Sequence, residues 1–366
     1  MTDSVNKPAH APRELTRPVH VGNVQVGGGA PVSVQSMCTT KTDDAAATLA
    51  QIGRLAEAGC EIVRVAIPRA EVLDGFQEIC GSSPIPVVAD IHFDHKLAIE
   101  AARRGAAALR VNPGNIGSWE RVDAVIDAAG EAGIPIRIGV NAGSLDKDID
   151  AREDLTQPQK LVQSAVSFVR HFEERGFSDI VMSAKVHDVP ATIETNRELS
   201  RLLPHVPLHI GVTEAGTFVQ GTVKNVAALS VLLSEGIGDT MRLSLTADPV
   251  EEVKVAWELL AALGMRRRHP ELVSCPTCGR CQVNMIPIAE EVSRRLQDVN
   301  APISVAVMGC AVNGPGEAKG ADIGMASGND QALLFANGEP IRKVPEASMV
   351  DELFSEIEQR FGNREP

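Results

Sequence analysis

Cys275 and Cys278 stand in SCPTCGRC, at the C-x-x-C spacing that lets two thiolates reach one metal centre. A third thiol, Cys310, ends an apolar run from Ile303 to Met308 that reads as a buried strand. It opens the loop Asn313-Gly-Pro-Gly-Glu317, with two glycines and a carboxylate. Soft thiolates at such spacing select zinc or an iron–sulfur cluster, and that choice separates redox chemistry from a structural staple. A zinc ribbon usually offers two C-x-x-C knuckles. Here one knuckle is extended by Cys281, and the remaining thiol is distant. Two ligand sets fit. One is Cys275, Cys278, Cys281 and Cys310 around either metal. The other has Glu317 in place of Cys281, an oxygen ligand that a substrate can displace. Spacing alone favours Cys281.

A second constellation is cationic. Arg64, Arg110, Arg137, Lys185 and Arg242 lie inside β-branched runs, each expected near the C-terminal end of its strand. Residues two apart on a strand share a face. Arg110 therefore goes with Asn112, Ser183 with Lys185, Arg242 with Ser244, and Arg137 with Asn141 four residues on. Asp90 and His92 pair at the end of a third strand, and Glu214 ends a seventh. A cation facing a dry core is costly. One such arginine is explained by a carboxylate on the wall. Five exceed the nearby acids, Asp90 and Glu214. The surplus calls for an anionic ligand, and arginine suits bidentate phosphate contact. The expected ligand is a phosphorylated or diphosphorylated small molecule. No P-loop consensus occurs, and GPGEAKG does not fit the dinucleotide glycine pattern.

The elements that must position these residues recur. A helical pattern ends in glycine and a short β-branched run follows, as in EAGCEIVRVAIP, RRGAAALRVNPG, EAGIPIRIGVNAG, ERGFSDIVMSAK and SEGIGDTMRLSL. Glycine after a helix takes the left-handed conformation without steric cost. Eight strands are expected, at Val32, Ile62, Val87, Ala108, Ile136, Ile180, Leu208 and Met241. Helical periodicity lies between them, for example Leu49, Ile52 and Leu55 behind a Thr42-Asp43 cap. The fold class is α/β, a (β/α)8 TIM-type barrel. A doubly wound sheet is the runner-up; the polar residues gather at strand ends along the whole set, not at one switch point. The domain reading is a disordered N-terminus over 1–18, a barrel over 19–265 that opens with a hairpin turning at Gly22-Asn23, and a small α+β domain over 266–366. The second domain is expected to hold the CPTC loop, a helix around Ile288 to Leu296, the strand ending at Cys310, a hairpin at Asn337-Gly338 and a last helix burying Leu353, Phe354, Ile357 and Phe361.

Composition narrows the function. The chain has 366 residues, net charge −13, 3% aromatics and no tyrosine. That argues against nucleic acid, which needs bulk positive charge or a stacking surface. The N-terminus has no apolar signal region, and no run approaches a membrane span. Seven cysteines without an export signal suggest a reducing cytosol. Cys60 and Cys80 read as small buried hydrophobes.

From Val19 onward the motifs QSMCTTKT, VADIHFD, RVNPGNIG, RIGVNAGSL, GVTEAG, EGIGDTMRLSL, TADPVEEVK, SCPTCGR and GCAVNGPGEA occur in this order. Together they resemble the 4-hydroxy-3-methylbut-2-enyl diphosphate synthase family, in its short bacterial form. The resemblance implies a cytosolic oxidoreductase of the non-mevalonate isoprenoid pathway. The implied reaction opens 2-C-methyl-D-erythritol 2,4-cyclodiphosphate reductively, with two electrons passed through a [4Fe–4S] cluster from flavodoxin or ferredoxin. It also implies a cluster domain like a sulfite/nitrite-reductase module, and a head-to-tail homodimer. Residue by residue, it implies Cys275, Cys278, Cys310 and Glu317 as cluster ligands and Glu214 as the catalytic acid. Arg64, Arg110, Arg137, Lys185 and Arg242 then hold the diphosphate, with His92, Asn112, Asn141 and Ser244 as further substrate contacts. Two positions depart from the family pattern: Cys38, where threonine is common, and Cys281, outside the usual ligand set. Two other readings compete. One is a barrel transferase or lyase with structural zinc. The other is a non-catalytic iron–sulfur sensor.

Overall fold

Five glycines turn the chain from helix into strand. Gly59, Gly105, Gly133, Gly176 and Gly236 all have φ between 65° and 99°, the left-handed region that a side chain disfavours. These are the glycines of the five recurring sequence units. Aspartates start many of the helices: Asp44, Asp94, Asp188 and Asp248 each accept a backbone N–H of the first turn. The cap of the first helix is Asp44, one residue beyond the expected Thr42-Asp43.

The structure is a computed structural model that describes residues 12–141, 145, 147–299, 301–310, 318, 320–328 and 330–362. The chain divides into two units, Met1–Leu263 and Gly264–Pro366. The first begins with an antiparallel hairpin, β1 (Val19–Val21) and β2 (Val24–Val26). Eight parallel strands follow: β3 (Ser33–Met37), β4 (Ile62–Ala66), β5 (Val87–Ile91), β6 (Ala108–Val111), β7 (Ile136–Asn141), β8 (Ile180–Lys185), β9 (His209–Ile210) and β10 (Thr240–Met241). β10 pairs with both β9 and β3, and a Met182–Leu208 bridge joins β8 to the start of β9. The sheet thus closes on itself as the expected barrel.

The hairpin covers the N-terminal ends of the strands, where Val19, Val21 and Val26 pack on Ile62, Val88, Ala108 and Val181. Residues 12–18 correct the expected disorder to residue 18. Pro12–Glu14 form a 3-10 turn, Arg13 N donates to Gly236 O at 3.0 Å and Arg17 N to His205 O at 2.8 Å. Residues 1–11 lie outside the described residues.

The second unit is a mixed sheet: β11 (Glu271–Ser274), β12 (Ser304–Met308) and β13 (Ile323–Gly328) are parallel, and β14 (Gln331–Ala336) and β15 (Glu339–Pro345) complete it as antiparallel strands. β11 was not expected from sequence; four residues carry too little periodicity to stand out. The helices Met285–Leu296 and Met349–Phe361 pack Val292, Leu296, Leu353 and Ile357 onto Val305, Val307, Met325 and Leu334. The β14–β15 turn is Asn337-Gly338, both with positive φ, the pairing that hairpins favour.

Candidate functional site

Register puts charges side by side inside the barrel. Asp90 lies opposite Arg110, and Arg110 opposite Arg137. Asp90 is 2% exposed. Its carboxylate lies 3.2 Å from Arg110 Nη1, 3.5 Å from Arg64 Nε and 3.3 Å from His92 Nε2. Burial works against its charge, yet Arg64, His92 and Arg110 together hold the carboxyl well below the usual carboxylate range. Arg110 fits because Gly139 across the sheet has no side chain. A methyl there would lie 2.6 Å from Arg110 Nε.

Arg242 is held by a residue that sequence reasoning missed. Glu252, on the helix Pro249–Ala262, accepts from Arg242 Nε and Nη2, both at 3.0 Å. It also accepts from Ser36 Oγ and Leu245 N at 3.0 Å. Glu252 shares the buried helix face with Val253, Ala256 and Leu260, and a carboxylate in an apolar stripe was the available signal. The Met37 sulfur accepts from Arg64 Nη2 at 2.9 Å and Nε at 3.2 Å, with Arg242 Nη1 at 3.8 Å.

Arg137 corrects an expectation. It is the second residue of β7, not near its end, and lies about 13 Å along the strand from Asn141. Its Nη1 donates to Gln35 Oε1 at 3.4 Å, and Gln35 Nε2 donates to Thr240 Oγ1 at 2.8 Å. The Arg137 Nε is buried without a hydrogen-bond partner. Lys185 closes β8, opposite Asn141, and its Nζ lies 3.2 Å from Nε2 of the buried His209. His209, at the start of its strand, was also missed.

The remaining expected contacts differ in kind. His92 is half-exposed beside Asp90 and Arg110. Asn112 is fully buried, and its side-chain oxygen accepts from Gly114 N at 3.1 Å as a helix cap. Asn141 and Ser244 sit partly exposed at or just beyond strand ends. Glu214 is exposed in the left-handed region with φ 52°, and makes no hydrogen bond or ion pair among the described residues. No barrel arginine pairs with it there. Cys38 is buried behind Met37, its thiol pushed up to about 12 by desolvation.

The cysteines gather at the ends of two adjacent parallel strands. Cys275 follows β11 and Cys310 lies two residues past β12. Gly309 N donates to Cys275 Sγ at 3.2 Å and Gly309 O accepts from Gln282 N at 3.0 Å, while Cys281 N donates to Cys278 O at 2.9 Å. A methyl on Gly309 would lie 2.5 Å from Cys281 Sγ and 3.6 Å from Cys275 Sγ. Cys281 Sγ donates to Val283 O at 3.2 Å. Among the described residues no three acidic, histidine or cysteine side chains converge as a formed metal site. Glu317 and its loop, 311–317, lie outside the described residues. The donor set fits an iron–sulfur cluster: soft thiols at neighbouring strand ends, one already accepting a backbone N–H, as cluster sulfurs do.

Comparison with known proteins decides the family. Residues 16–257 match the GcpE TIM-barrel domain and residues 271–359 the GcpE protein C-terminal domain. The chain belongs to the GcpE family. A GcpE relative from Geobacter sulfurreducens, "4-hydroxy-3-methylbut-2-en-1-yl diphosphate synthase (flavodoxin)", is 54% identical over 94% of this chain and 97% of its own. Proteins of the same name from Anoxybacillus flavithermus and Bacillus subtilis are 52% and 51% identical, over 95% and 94% of this chain and 95% and 92% of theirs. Likeness to a solved dihydropteroate synthase from Yersinia pestis is weaker, with TM-score 0.48 and 14% identity over 68% of this chain and 98% of that one. Both GcpE domains fall within the two units of the fold.

Proposed function

We propose that the chain catalyses the reductive ring opening of 2-C-methyl-D-erythritol 2,4-cyclodiphosphate to (E)-4-hydroxy-3-methylbut-2-enyl diphosphate. Two electrons and protons enter, the ring C–O bond to the diphosphate breaks, and one hydroxyl leaves as water. The observation that carries this reading is the charge inside the barrel. Four arginines face two buried carboxylates, Asp90 and Glu252, with the amine of Lys185 beside them. A cyclic diphosphate supplies the missing negative charge, and its fixed geometry suits a fork of guanidinium groups. The family membership and the relatives' names agree with it.

In this reading Arg64, Arg110, Arg137, Lys185 and Arg242 hold the diphosphate. His92, Asn112, Asn141 and Ser244 contact the remaining oxygens. Glu214, exposed and unpaired by any pocket cation, hydrogen-bonds a substrate hydroxyl and delivers the proton with which it leaves. Cys275, Cys278, Cys310 and Glu317 hold a [4Fe–4S] cluster, which when bound supplies electrons one at a time. Flavodoxin, named for the relatives, or ferredoxin donates them. The working form is a cytosolic homodimer; among the described residues no helix is long and apolar enough to cross a membrane.

The test is elemental analysis of protein purified without air. Iron and acid-labile sulfide in equal amounts, approaching about four each per chain, support the reading. Stoichiometric zinc without sulfide, persisting after attempted reconstitution, would move the chain to a transferase or lyase with a structural metal.

A further inference from the structure

Lys185 and His209 form a buried pair whose two nearest polar atoms are both nitrogens. Lys185 is 9% exposed and His209 0%. The Nζ–Nε2 separation of 3.2 Å allows one hydrogen between them; either nitrogen can donate it while the amine is neutral, and the amine must donate once it is the ammonium. The other ring nitrogen, His209 Nδ1, is buried without a hydrogen-bond partner. No carboxylate pairs with Lys185 among the described residues. The charged groups that weigh most on it are Arg137 from β7, Arg64 from β4, Arg242 just past β10 and Arg110 from β6, all positive. The barrel's buried acids are engaged elsewhere, Asp90 by Arg64 and Arg110, Glu252 by Arg242, and Asp239 by Leu208 N and Thr16 Oγ1. Space around the amine is set by Gly211, where a methyl would lie 2.8 Å from Lys185 Nζ and 2.2 Å from Arg242 O.

We infer that His209 is a positioning residue for Lys185, and that the pair binds one proton from solvent as the diphosphate enters. The inference rests on the pocket reading above. Before the ligand arrives, burial and then the neighbouring arginines disfavour charge on both members, which holds the lysine and the histidine well below their ordinary values. The cyclic diphosphate brings two negative charges into the same space and reverses the balance. Lys185 becomes the ammonium. It keeps one N–H on His209 Nε2 and turns the others to phosphate oxygens. Neutral His209 holds the amine in line without competing for the anion, which a second cation or a carboxylate there would do. Binding is therefore strongest below the lysine's value in the free protein and weakens as pH rises from there through its value in the complex. Uptake appears only between the free and bound values.

The substrate makes the measurement clean. Each phosphorus of the cyclic diphosphate carries a single, strongly acidic oxygen, so the ligand does not titrate near neutrality. Binding to the cluster-loaded protein, without reductant and so without turnover, is measured by calorimetry at about pH 8 in two buffers of different ionisation heat. The expected result is about one proton taken up per substrate, falling towards zero in Lys185→Met, which also binds more weakly. His209→Leu should weaken binding about tenfold or more at an unchanged melting temperature. His209→Gln, which offers an amide oxygen near the Nε2 position, should restore most of the affinity with less proton uptake. Tight binding by the wild type with no proton uptake overturns the inference and leaves the pocket reading intact, as does His209→Leu binding like the wild type. Lys185→Met binding at wild-type affinity overturns the pocket reading itself, and the inference with it.

Discussion

At the scale of single residues, Glu252 fixes the direction of the Arg242 guanidinium. The guanidinium is tied by two 3.0 Å bonds to a carboxylate that is itself 2% exposed. Glu252→Gln keeps the shape but places amide hydrogens against Arg242. It leaves a partly buried cation without its carboxylate, which is expected to cost about 2 kcal/mol of stability. The KM for the cyclodiphosphate should rise about tenfold, since one freed guanidinium no longer meets the anion in a fixed direction. Denaturant unfolding and steady-state kinetics on the same variant check the two halves. Four of the five barrel cations, with Asp90 on β5 and His92 just past it, were legible in the sequence because strand alternation and charge suffice to place them. Arg137 was misplaced along its strand, since strand ends are weakly marked when a run stays apolar to Asn141. Glu252 and His209 were not legible as site residues. One lies on a helix that reads as ordinary amphipathic sequence, and the other at the start of a two-residue strand.

At the scale of elements, the lower rim of the barrel carries a pH signature. Asp239, just before β10, accepts from Leu208 N at 2.7 Å and Thr16 Oγ1 at 3.0 Å. It ties the N-terminal strap to the strands, and burial raises its carboxyl from 3.8 to about 6 despite those bonds. The folded chain therefore binds this proton more tightly than the unfolded chain between these values. The group's contribution to stability grows as pH falls from about 7 to about 4, by roughly 2 kcal/mol. The melting temperature of the wild type relative to Asp239→Asn should be higher at pH 5 than at pH 7.5; a difference independent of pH would contradict the burial argument. The second element-scale prediction concerns the link from β12 to Cys310. A methyl on Gly309 meets Cys281 Sγ at 2.5 Å and approaches Cys275 Sγ at 3.6 Å. Gly309→Ala should displace the CPTC loop and lower the iron retained after anaerobic purification severalfold, with the barrel's own unfolding transition unaffected. The alternation of helix and strand was readable because left-handed glycines and aspartate caps are local signals. β11 was not, because it is specified by its partner β12 rather than by its own four residues.

At the scale of the whole molecule, the two units have separate cores. The second unit buries its own cluster of Val292, Leu296, Val305, Leu334, Leu353 and Ile357, and the barrel closes through its own strands. Separate cores allow separate unfolding transitions. Stripping the metal with a chelator under mild oxidation should lower the transition of residues 264–366 by several degrees and leave that of the barrel in place, as differential scanning calorimetry will read. A shift of both together would mean that the metal holds the whole chain. The central claim is that this chain delivers electrons to a cyclic diphosphate, and its most direct test is turnover. Protein holding iron and sulfide is incubated without air with a strong reductant and 2-C-methyl-D-erythritol 2,4-cyclodiphosphate, and the phosphorus spectrum is followed. The account expects the two ring phosphorus signals to give way to those of an open-chain allylic diphosphate, with Glu214→Gln and Lys185→Met slowing the change at least a hundredfold. A fully loaded, reduced protein that binds the cyclodiphosphate and leaves it unopened would contradict it.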